Sequence, residues 1–213
     1  MKTTPYHSKY WAQVLSLKGA AGSIDSISRS IAGARVDLNP HQVEASLFAL
    51  RSPLSKGVIL ADEVGLGKTI EAGIVIAQKW AERRRRILLI VPATLRKQWQ
   101  QELGSKFYLL AAVLDSKAYR EEDVEGGRNP FDATDRILIC SYHFAANKAQ
   151  DLARVPWDLV VLDEAHRLRN VFQKSSKIAR RIVDAIGSSP KILLTATPLQ
   201  NSLMELYGLA SVI

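Results

Sequence analysis

The sequence predicts an α/β protein, in which a parallel β-sheet with helices on both faces follows a helical N-terminal segment. Short apolar runs that do not alternate with polar residues recur from Gly57 onward, and strands of this kind are buried on both faces. Longer helical segments separate most of these runs, and strands that alternate with helices form parallel sheets with right-handed crossovers. The first 50 residues contain no strand-like run.

The predicted strands are Gly57–Ala61, Ile87–Val91, Ile137–Cys140, Leu159–Leu162 and Ile192–Leu194, with Leu109–Leu114 as a sixth. The predicted helices among and after them are Lys68–Glu82, Thr94–Leu103, Phe144–Leu152, Lys174–Ile186 and Leu203–Ile213. Before the sheet, Asn39 and Pro40 open a helix as N-cap and first-turn residue, where the missing proline N–H costs nothing. Two weaker helical stretches, Tyr6–Leu17 and Ile24–Arg35, precede that helix. The polar segment Glu121–Pro130 is interpreted as a surface loop.

The composition is that of a globular protein with a basic excess. The chain has 213 residues, of which 47% are hydrophobic and 23% charged. Its formal net charge of +8 favours a polyanionic partner, either nucleic acid or an anionic membrane surface. The N-terminus has no apolar core of the signal-peptide kind and no apolar run is long enough to span a bilayer, so we expect a cytoplasmic protein. The single cysteine, Cys140, lies in an apolar run, which predicts a buried and inert thiol.

A glycine-containing segment joins the first predicted strand to the following helix, which is the context that a phosphate-binding loop requires. Gly65 and Gly67 allow the backbone to turn tightly and present N–H groups to phosphate oxygens. Lys68 is placed to reach the β- and γ-phosphates of ATP, and the Thr69 hydroxyl to bind Mg²⁺. The general pattern has glycine where this chain has Asp62, and a plain strand-to-helix turn is the alternative interpretation. The predicted nucleotide-binding residues of this segment are Asp62, Glu63, Val64, Gly65, Leu66, Gly67, Lys68 and Thr69.

A second candidate site follows the buried strand Leu159–Leu162, which ends in two adjacent carboxylates. Asp163 is placed to hold Mg²⁺ directly or through water, and Glu164 to orient or deprotonate an attacking water. His166 is placed to sense the γ-phosphate and to pass that state to a neighbouring segment. A solvated turn is the alternative for an isolated Asp-Glu pair, and the phosphate-binding loop in the same sheet argues against it. The remaining histidines show no metal-ligand spacing, so a zinc site is not expected.

The order of three segments, Asp62–Thr69, Asp163–His166 and Thr195–Asn201, resembles the first motor lobe of superfamily-two helicases. Their detailed wording is similar to that of the SWI/SNF-type translocases, and most similar to their bacterial RapA-like members. The resemblance runs from about Leu38 to Ile213 and implies a RecA-like ATP-binding lobe over residues 38–213, after an N-terminal helical extension at 1–37. In that family aspartate is usual at the position of Asp62.

The resemblance also implies roles for further residues. Gln42 resembles the glutamine that hydrogen-bonds the adenine edge, with a helix-surface amide as the alternative. Thr195 and Thr197 resemble the pair that couples hydrolysis to DNA contact through His166. The predicted contacts with the nucleic-acid backbone are Pro92, Thr94, Ser141 and Tyr142; Ser141 and Tyr142 have the alternative of simply beginning a helix. Trp99 is interpreted as a packing residue, and the basic run Arg83–Arg86 as a solvated helix end, with phosphate contact as the alternative.

Motors of this family have a second RecA-like lobe, which supplies arginine fingers to ATP bound in the cleft between the lobes. An arginine finger contributes roughly 10³–10⁵-fold in rate in other phosphate-loop enzymes. The resemblance therefore implies a DNA-dependent ATPase that translocates on double-stranded DNA, of which this chain is a lobe with little activity alone. Two alternatives remain open: a strand-separating DNA or RNA helicase, and a non-catalytic nucleic-acid-binding module.

Overall fold

The computed structural model describes residues 34–36, 39–51, 56–61, 67–172, 176–187, 189–197 and 203–213. Predictions on other residues lie outside this part of the chain. They include the helix Tyr6–Leu17, most of Ile24–Arg35 and the loop residues Asp62–Leu66.

The core of the fold is a six-stranded parallel sheet, as the sequence predicts. The strands are β1 (Gly57–Leu60), β2 (Ile87–Val91), β3 (Ala111–Val113), β4 (Ile137–Ser141), β5 (Leu159–Asp163) and β6 (Lys191–Leu194). Their order across the sheet is β1-β6-β5-β2-β4-β3. The last strand of the chain is thus inserted between β1 and β5, the two strands that precede the candidate site segments.

The α-helices that the structure describes are α1 (Pro40–Arg51), α2 (Lys68–Ala81), α3 (Arg96–Phe107), α4 (Ser116–Gly126), α5 (Tyr142–Asn147), α6 (Ala149–Ala153), α7 (Lys177–Ile186) and α8 (Leu203–Ala210). Short 3₁₀ helices lie at Pro130–Asp132 and Ala165–Leu168. Most bounds fall within a few residues of the predicted ones. Helix α1 begins at Pro40 as predicted, and the N–H of Asn39 donates to Oε1 of Gln42 at 3.2 Å, which closes half of a capping box.

Helices cover both faces of the sheet because the strand side chains alternate between two apolar clusters. Ile87, Leu89 and Val91 of β2 pack with α1, α2 and α3 on one face. Leu88 and Ile90 of the same strand pack on the other face, against the aromatic and aliphatic side chains of α4 to α8. All five residues of β2 are at most 1% exposed, as a continuous apolar run requires.

Two local predictions are wrong. The predicted loop at Glu121–Pro130 begins inside helix α4, which the Asp115 carboxylate caps by accepting from the N–H groups of Lys117 and Ala118. The helix is held by tertiary contacts of Tyr119, whose ring lies 5.9 Å from that of Phe131. The predicted helix Phe144–Leu152 is instead two short helices, α5 and α6, with a break at Lys148.

Cys140 is buried, as the sequence predicts, and its burial makes the thiol unreactive. The side chain is fully buried, and burial raises the pKa of its thiol to about 12, so the reactive thiolate is scarce at neutral pH. Within the ranges that the structure describes, no helix has the length and apolarity needed to cross a bilayer.

Two helical glycines, Gly73 and Gly104, differ in the space around them, so substituting each with alanine distinguishes the effect of packing from that of helix propensity. A Cβ added at Gly73 of α2 meets the Phe107 ring at 2.3 Å, whereas one added at Gly104 of α3 meets nothing within 4 Å. Overpacking a core costs about 1–3 kcal/mol, and alanine gains about 1 kcal/mol over glycine inside a helix. We therefore expect Gly73→Ala to lower the free energy of unfolding by up to about 2 kcal/mol, and Gly104→Ala to raise it by up to about 1 kcal/mol. Urea unfolding of both variants tests this, and a Gly73→Ala variant as stable as Gly104→Ala contradicts it.

Candidate nucleotide site

The candidate site residues lie along the carboxyl edge of the sheet. Leu60 at the end of β1 and Asp163 at the end of β5 both pair with Leu194 at the end of β6. Neighbouring strands are about 4.8 Å apart, so the ends of β1 and β5 are roughly 10 Å apart. The carboxyl ends of these three strands therefore lie on one side of the domain, where ligands of parallel sheets bind.

Of the predicted phosphate-binding loop, the structure describes residues 67–69. Gly67 has a φ of 95°, a left-handed conformation that side chains other than glycine rarely adopt. Helix α2 begins directly after it at Lys68, so the positive end of the helix dipole and the Lys68 ammonium lie together. Thr69 is half-buried in the same turn. This arrangement suits a phosphate group at the helix start.

Gln42 packs directly against this turn. Its side chain is 3% exposed, and a Cβ built on Gly67 would lie 2.2 Å from its Nε2 atom. The same helix is tied to α2 by Ser46, whose hydroxyl contacts the carbonyl oxygens of Gln42 and Glu71 at 2.7 and 3.2 Å. The alternative of a helix-surface amide is thus wrong, and Gln42 lies beside Gly67 at the start of α2. Its contact with adenine stays a prediction.

Asp163 is held by two donors. The indole Nε1–H of Trp99 donates to Oδ2 at 2.8 Å, and the N–H of Glu164 donates to Oδ1 at 2.9 Å. Burial raises the pKa of the Asp163 carboxyl, while these two hydrogen bonds and the positive charge of Lys68 act in the opposite direction. The charge of Lys68 is the smallest of these influences on the pKa of Asp163, and it agrees with a position of both residues at the carboxyl edge of the sheet.

The chain turns sharply after Asp163. Glu164 has φ 54° and ψ 48°, a left-handed conformation that costs a residue with a side chain about 1–3 kcal/mol and that clusters at functional sites. This turn directs the two adjacent carboxylates differently. Oε2 of Glu164 lies 3.1 Å from Nδ1 of His166, and burial lowers the pKa of that imidazole. His166 is thereby connected to the residue that is predicted to act on water.

Thr195 directly follows β6, the strand between β1 and β5. Its N–H donates to the carbonyl of Leu60 at 3.1 Å, and its hydroxyl accepts from the N–H of Thr197 at 3.2 Å. Thr195 is 1% exposed, whereas Thr197 is exposed. Thr195 therefore follows the strand that lies between β1, which precedes the turn at Lys68, and β5, which ends at Asp163.

The predicted nucleic-acid contacts differ in accessibility. Thr94 is exposed and Pro92 is half-buried in the turn after β2. Ser141 instead caps helix α5 by accepting from the N–H of Phe144, and Tyr142 donates from its hydroxyl to the Asp163 carbonyl at 2.7 Å. Ser141 and Tyr142 thus begin a helix, which was the alternative interpretation, and both are buried. Any contact of these four residues with nucleic acid stays a prediction.

The basic run Arg83–Arg86 lies at the opposite edge of the sheet, before β2. The N–H groups of Arg85 and Arg86 donate to Oδ2 of Asp158, and the Arg85 guanidinium stacks over the Trp80 ring at 4.1 Å. This run is therefore remote from the nucleotide edge.

Trp99 is the functional candidate that sequence reasoning missed. It packs in the core at 2% exposure, as the sequence predicts, yet its indole N–H also donates to the Asp163 carboxylate. In the sequence, a functional role was indicated only by the position of Trp99, five residues after Thr94, which is a predicted nucleic-acid contact.

The oxygen donors present suit Mg²⁺, which prefers oxygen ligands and retains several waters and phosphate ligands in nucleotide sites. The Thr69 hydroxyl and the Asp163 carboxylate are the two such groups that were predicted. Within the described residues there is no cluster of three or more His, Cys, Asp or Glu side chains that suits a metal ion.

Comparisons with known proteins agree on the family. The model of the SNF2-related domain matches residues 39–213. The RNA polymerase-associated protein RapA of Pectobacterium atrosepticum is 40% identical over 173 residues, which cover 79% of this chain and 18% of that protein. RapA of Erwinia tasmaniensis is 42% identical over 173 residues, with the same coverage. This chain thus spans less than a fifth of these relatives.

A solved structure, the Sulfolobus solfataricus SWI2/SNF2 ATPase core in complex with dsDNA, shares the fold with a TM-score of 0.67 at 24% identity. The match covers 84% of this chain and 36% of that one. With the parallel sheet and the site at its carboxyl edge, these matches confirm the resemblance seen in the sequence. The chain belongs to the SNF2-related domain family and has the RecA-like fold of the first lobe of its superfamily-two ATPases.

Proposed function

We propose that this chain is the ATP-binding lobe of a DNA-dependent ATPase that translocates on double-stranded DNA by Mg-ATP hydrolysis. The observation that carries the proposal is that β1, which precedes the helix start at Lys68, and β5, which ends at Asp163, both end beside Leu194 at one edge of the sheet. Membership of the SNF2-related domain family supports it.

The residues would divide the work by their positions. Lys68 and the N-terminus of α2 neutralise phosphate charge, and the loop Asp62–Thr69 encloses the phosphates. Thr69 and Asp163 hold Mg²⁺, which neutralises charge on the phosphates and positions them for hydrolysis. Glu164 orients the attacking water, and its carboxylate lies 3.1 Å from Nδ1 of His166.

Coupling to DNA would use the same edge. His166 contacts Glu164, and Thr195 directly follows β6, the strand between β1 and β5, so both are placed to transmit the nucleotide state. Pro92 and Thr94 follow β2 on the side of Asp163 away from the phosphate loop and would meet the nucleic-acid backbone. The formal net charge of +8 supports a polyanionic partner.

Two proposals concern the longer protein. A second RecA-like lobe would complete the ATP site with arginine fingers, so the lobe at 38–213 would hydrolyse ATP very slowly by itself. The relatives are named for association with RNA polymerase, and the structural neighbour holds double-stranded DNA, which together favour a cytoplasmic protein that acts on DNA.

Parallel displacement assays on the protein that contains both lobes test the function. A translocase is expected to remove a third strand from a DNA triplex in an ATP-dependent manner while leaving a forked duplex intact. Unwinding of the fork indicates a strand-separating helicase instead. Absence of any DNA-stimulated ATP hydrolysis indicates a non-catalytic module, and either result contradicts the proposal.

A further inference from the structure

Trp99 connects two parts of the domain that the proposed function treats separately. Helix α3 begins at Arg96 with Leu95 as its N-cap, and the two residues before Leu95, Ala93 and Thr94, are exposed. Trp99 lies in the first turn of that helix, and its indole N–H donates to Oδ2 of Asp163 at 2.8 Å. One short segment thus carries a predicted nucleic-acid contact at Thr94 and, five residues later, a hydrogen bond from Trp99 to the predicted metal ligand.

The connection from Thr94 to Trp99 is stiff. The N–H of Leu95 donates to the carbonyl of Pro92 at 2.9 Å, and the N–H of Trp99 donates to the carbonyl of Leu95 at 2.9 Å. The Arg96 guanidinium closes the same turn by donating from Nε to the carbonyl of Ala93 at 3.0 Å. The buried Trp99 ring has little room to rotate, because close-packed side chains stay in single rotamers. A displacement of the turn therefore moves the indole N–H.

Asp163 is sensitive to such a displacement. Its other carboxylate oxygen is held by the N–H of its own neighbour Glu164, so Trp99 is the partner contributed by another element among the described residues. A donor on Oδ2 sets the rotation of the carboxylate and takes up part of its negative charge. Partners of this kind typically change metal affinity or activity by about 10–100-fold when they are lost.

We infer that Trp99 is a positioning residue that links the turn at 92–95 to the Mg²⁺ ligand Asp163, so that nucleic acid bound at the turn changes how the carboxylate holds the metal. The inference rests on the proposed function, because it takes Asp163 as the metal ligand and the turn as a nucleic-acid contact. Tyr142, which holds the Asp163 backbone from the neighbouring side, keeps the strand end fixed while the side chain responds.

The indole N–H of Trp99 provides a direct readout on this chain. The chain has four tryptophans, and a ¹H–¹⁵N correlation spectrum of Trp99→Phe identifies the missing indole signal. We expect that signal to shift when Mg-ATP is added at millimolar concentration, and to shift separately when a short DNA duplex is added without nucleotide. Neither shift should depend on hydrolysis. An indole signal of Trp99 that DNA leaves unmoved, while other signals report binding, overturns the link.

Kinetics on the two-lobe protein tests the consequence. Trp99→Phe removes the N–H but keeps an aromatic ring, and we expect it to raise the Mg²⁺ concentration for half-maximal ATP hydrolysis about 10-fold and to reduce stimulation by DNA. Trp157→Phe is the matched control: Trp157 is also buried, and its N–H donates to the Leu152 carbonyl at 3.1 Å on the other face of the sheet.

The control separates positioning from packing. Equal changes in both variants, or none in Trp99→Phe, overturn the inference. If the unaltered protein shows no DNA-stimulated hydrolysis, the proposed function fails, and the inference that rests on it fails with it. If DNA stimulates hydrolysis in the unaltered protein and equally in Trp99→Phe, the inference is overturned and the proposed function is not.

Discussion

Lys68→Ala is expected to reduce the affinity for Mg-ATP at least about 100-fold and to remove measurable hydrolysis, because hydrogen bonds from charged groups contribute about 1.5–3 kcal/mol each. The ammonium also opposes the charge that develops on the phosphates, and loss of one such donor costs about 10²–10³-fold in rate. Its charge acts on the Asp163 carboxyl, so its removal also leaves the acidic group of the site without that cation. Calorimetry with Mg-ATP measures the affinity.

The matched control for this variant is Lys79→Ala on the same helix. Lys79 lies at the opposite end of α2 and pairs with Glu82 at 3.4 Å, so its loss removes a lysine charge without reaching the site. The pair is half-buried and lies within one helix end, where such i,i+3 pairs contribute about 0.2–0.5 kcal/mol, and nucleotide affinity should not change. Undiminished affinity in Lys68→Ala would falsify the assignment of the phosphate-binding loop.

Glu164→Gln is expected to preserve nucleotide binding and to slow hydrolysis about 10²–10⁴-fold, the usual contribution of a general base. Glutamine keeps the shape of the side chain, and both residues bear the same cost of the left-handed backbone at φ 54°. The folded structure should therefore be retained. Single-turnover hydrolysis beside equilibrium binding, both on the two-lobe protein with DNA, separates the chemical step from affinity.

A second glutamate provides the comparison. Glu102→Gln in the middle of α3 removes a carboxylate whose partners lie on the same helix: Lys106 at 3.0 Å and the side-chain amide of Gln98 at 2.9 Å. Hydrolysis should be unaffected by it. If Glu164→Gln hydrolyses ATP as fast as Glu102→Gln, then Glu164 does not act on the attacking water.

The elements that were predicted well are those whose local pattern matches their final environment. The run Ile87–Val91 is apolar throughout, and the strand it forms is buried on both faces. Helix α4 shows the opposite case, because Ser116–Gly126 is mostly polar and has no apolar stripe. It is stabilised by contacts with distant residues: Tyr119 on Phe131 and Phe144, and Glu122 on Arg136 at 2.7 Å. A local pattern does not contain such contacts.

The residues of the candidate site also fall into those that the sequence pattern predicts and those that depend on tertiary contacts. Lys68 and Asp163 are separated by 94 intervening residues, and their approach follows from two general facts: both segments follow strands, and the carboxyl ends of parallel strands share an edge. Ser141 and Tyr142 are different, since the choice between a nucleic-acid surface and a helix start depends on burial. Packing against β5 makes them part of the interior.

By itself, the sequence determined the α/β class, the parallel sheet and the residue types at the nucleotide edge, because strand burial and loop chemistry are local properties. Only the tertiary structure decided the insertion of β6 between β1 and β5, the left-handed turn at Glu164, the packing of Gln42 on Gly67 and the bond from Trp99 to Asp163. Each of these depends on which distant segments become neighbours. That choice is made by the collective packing of both apolar clusters, which no single segment specifies.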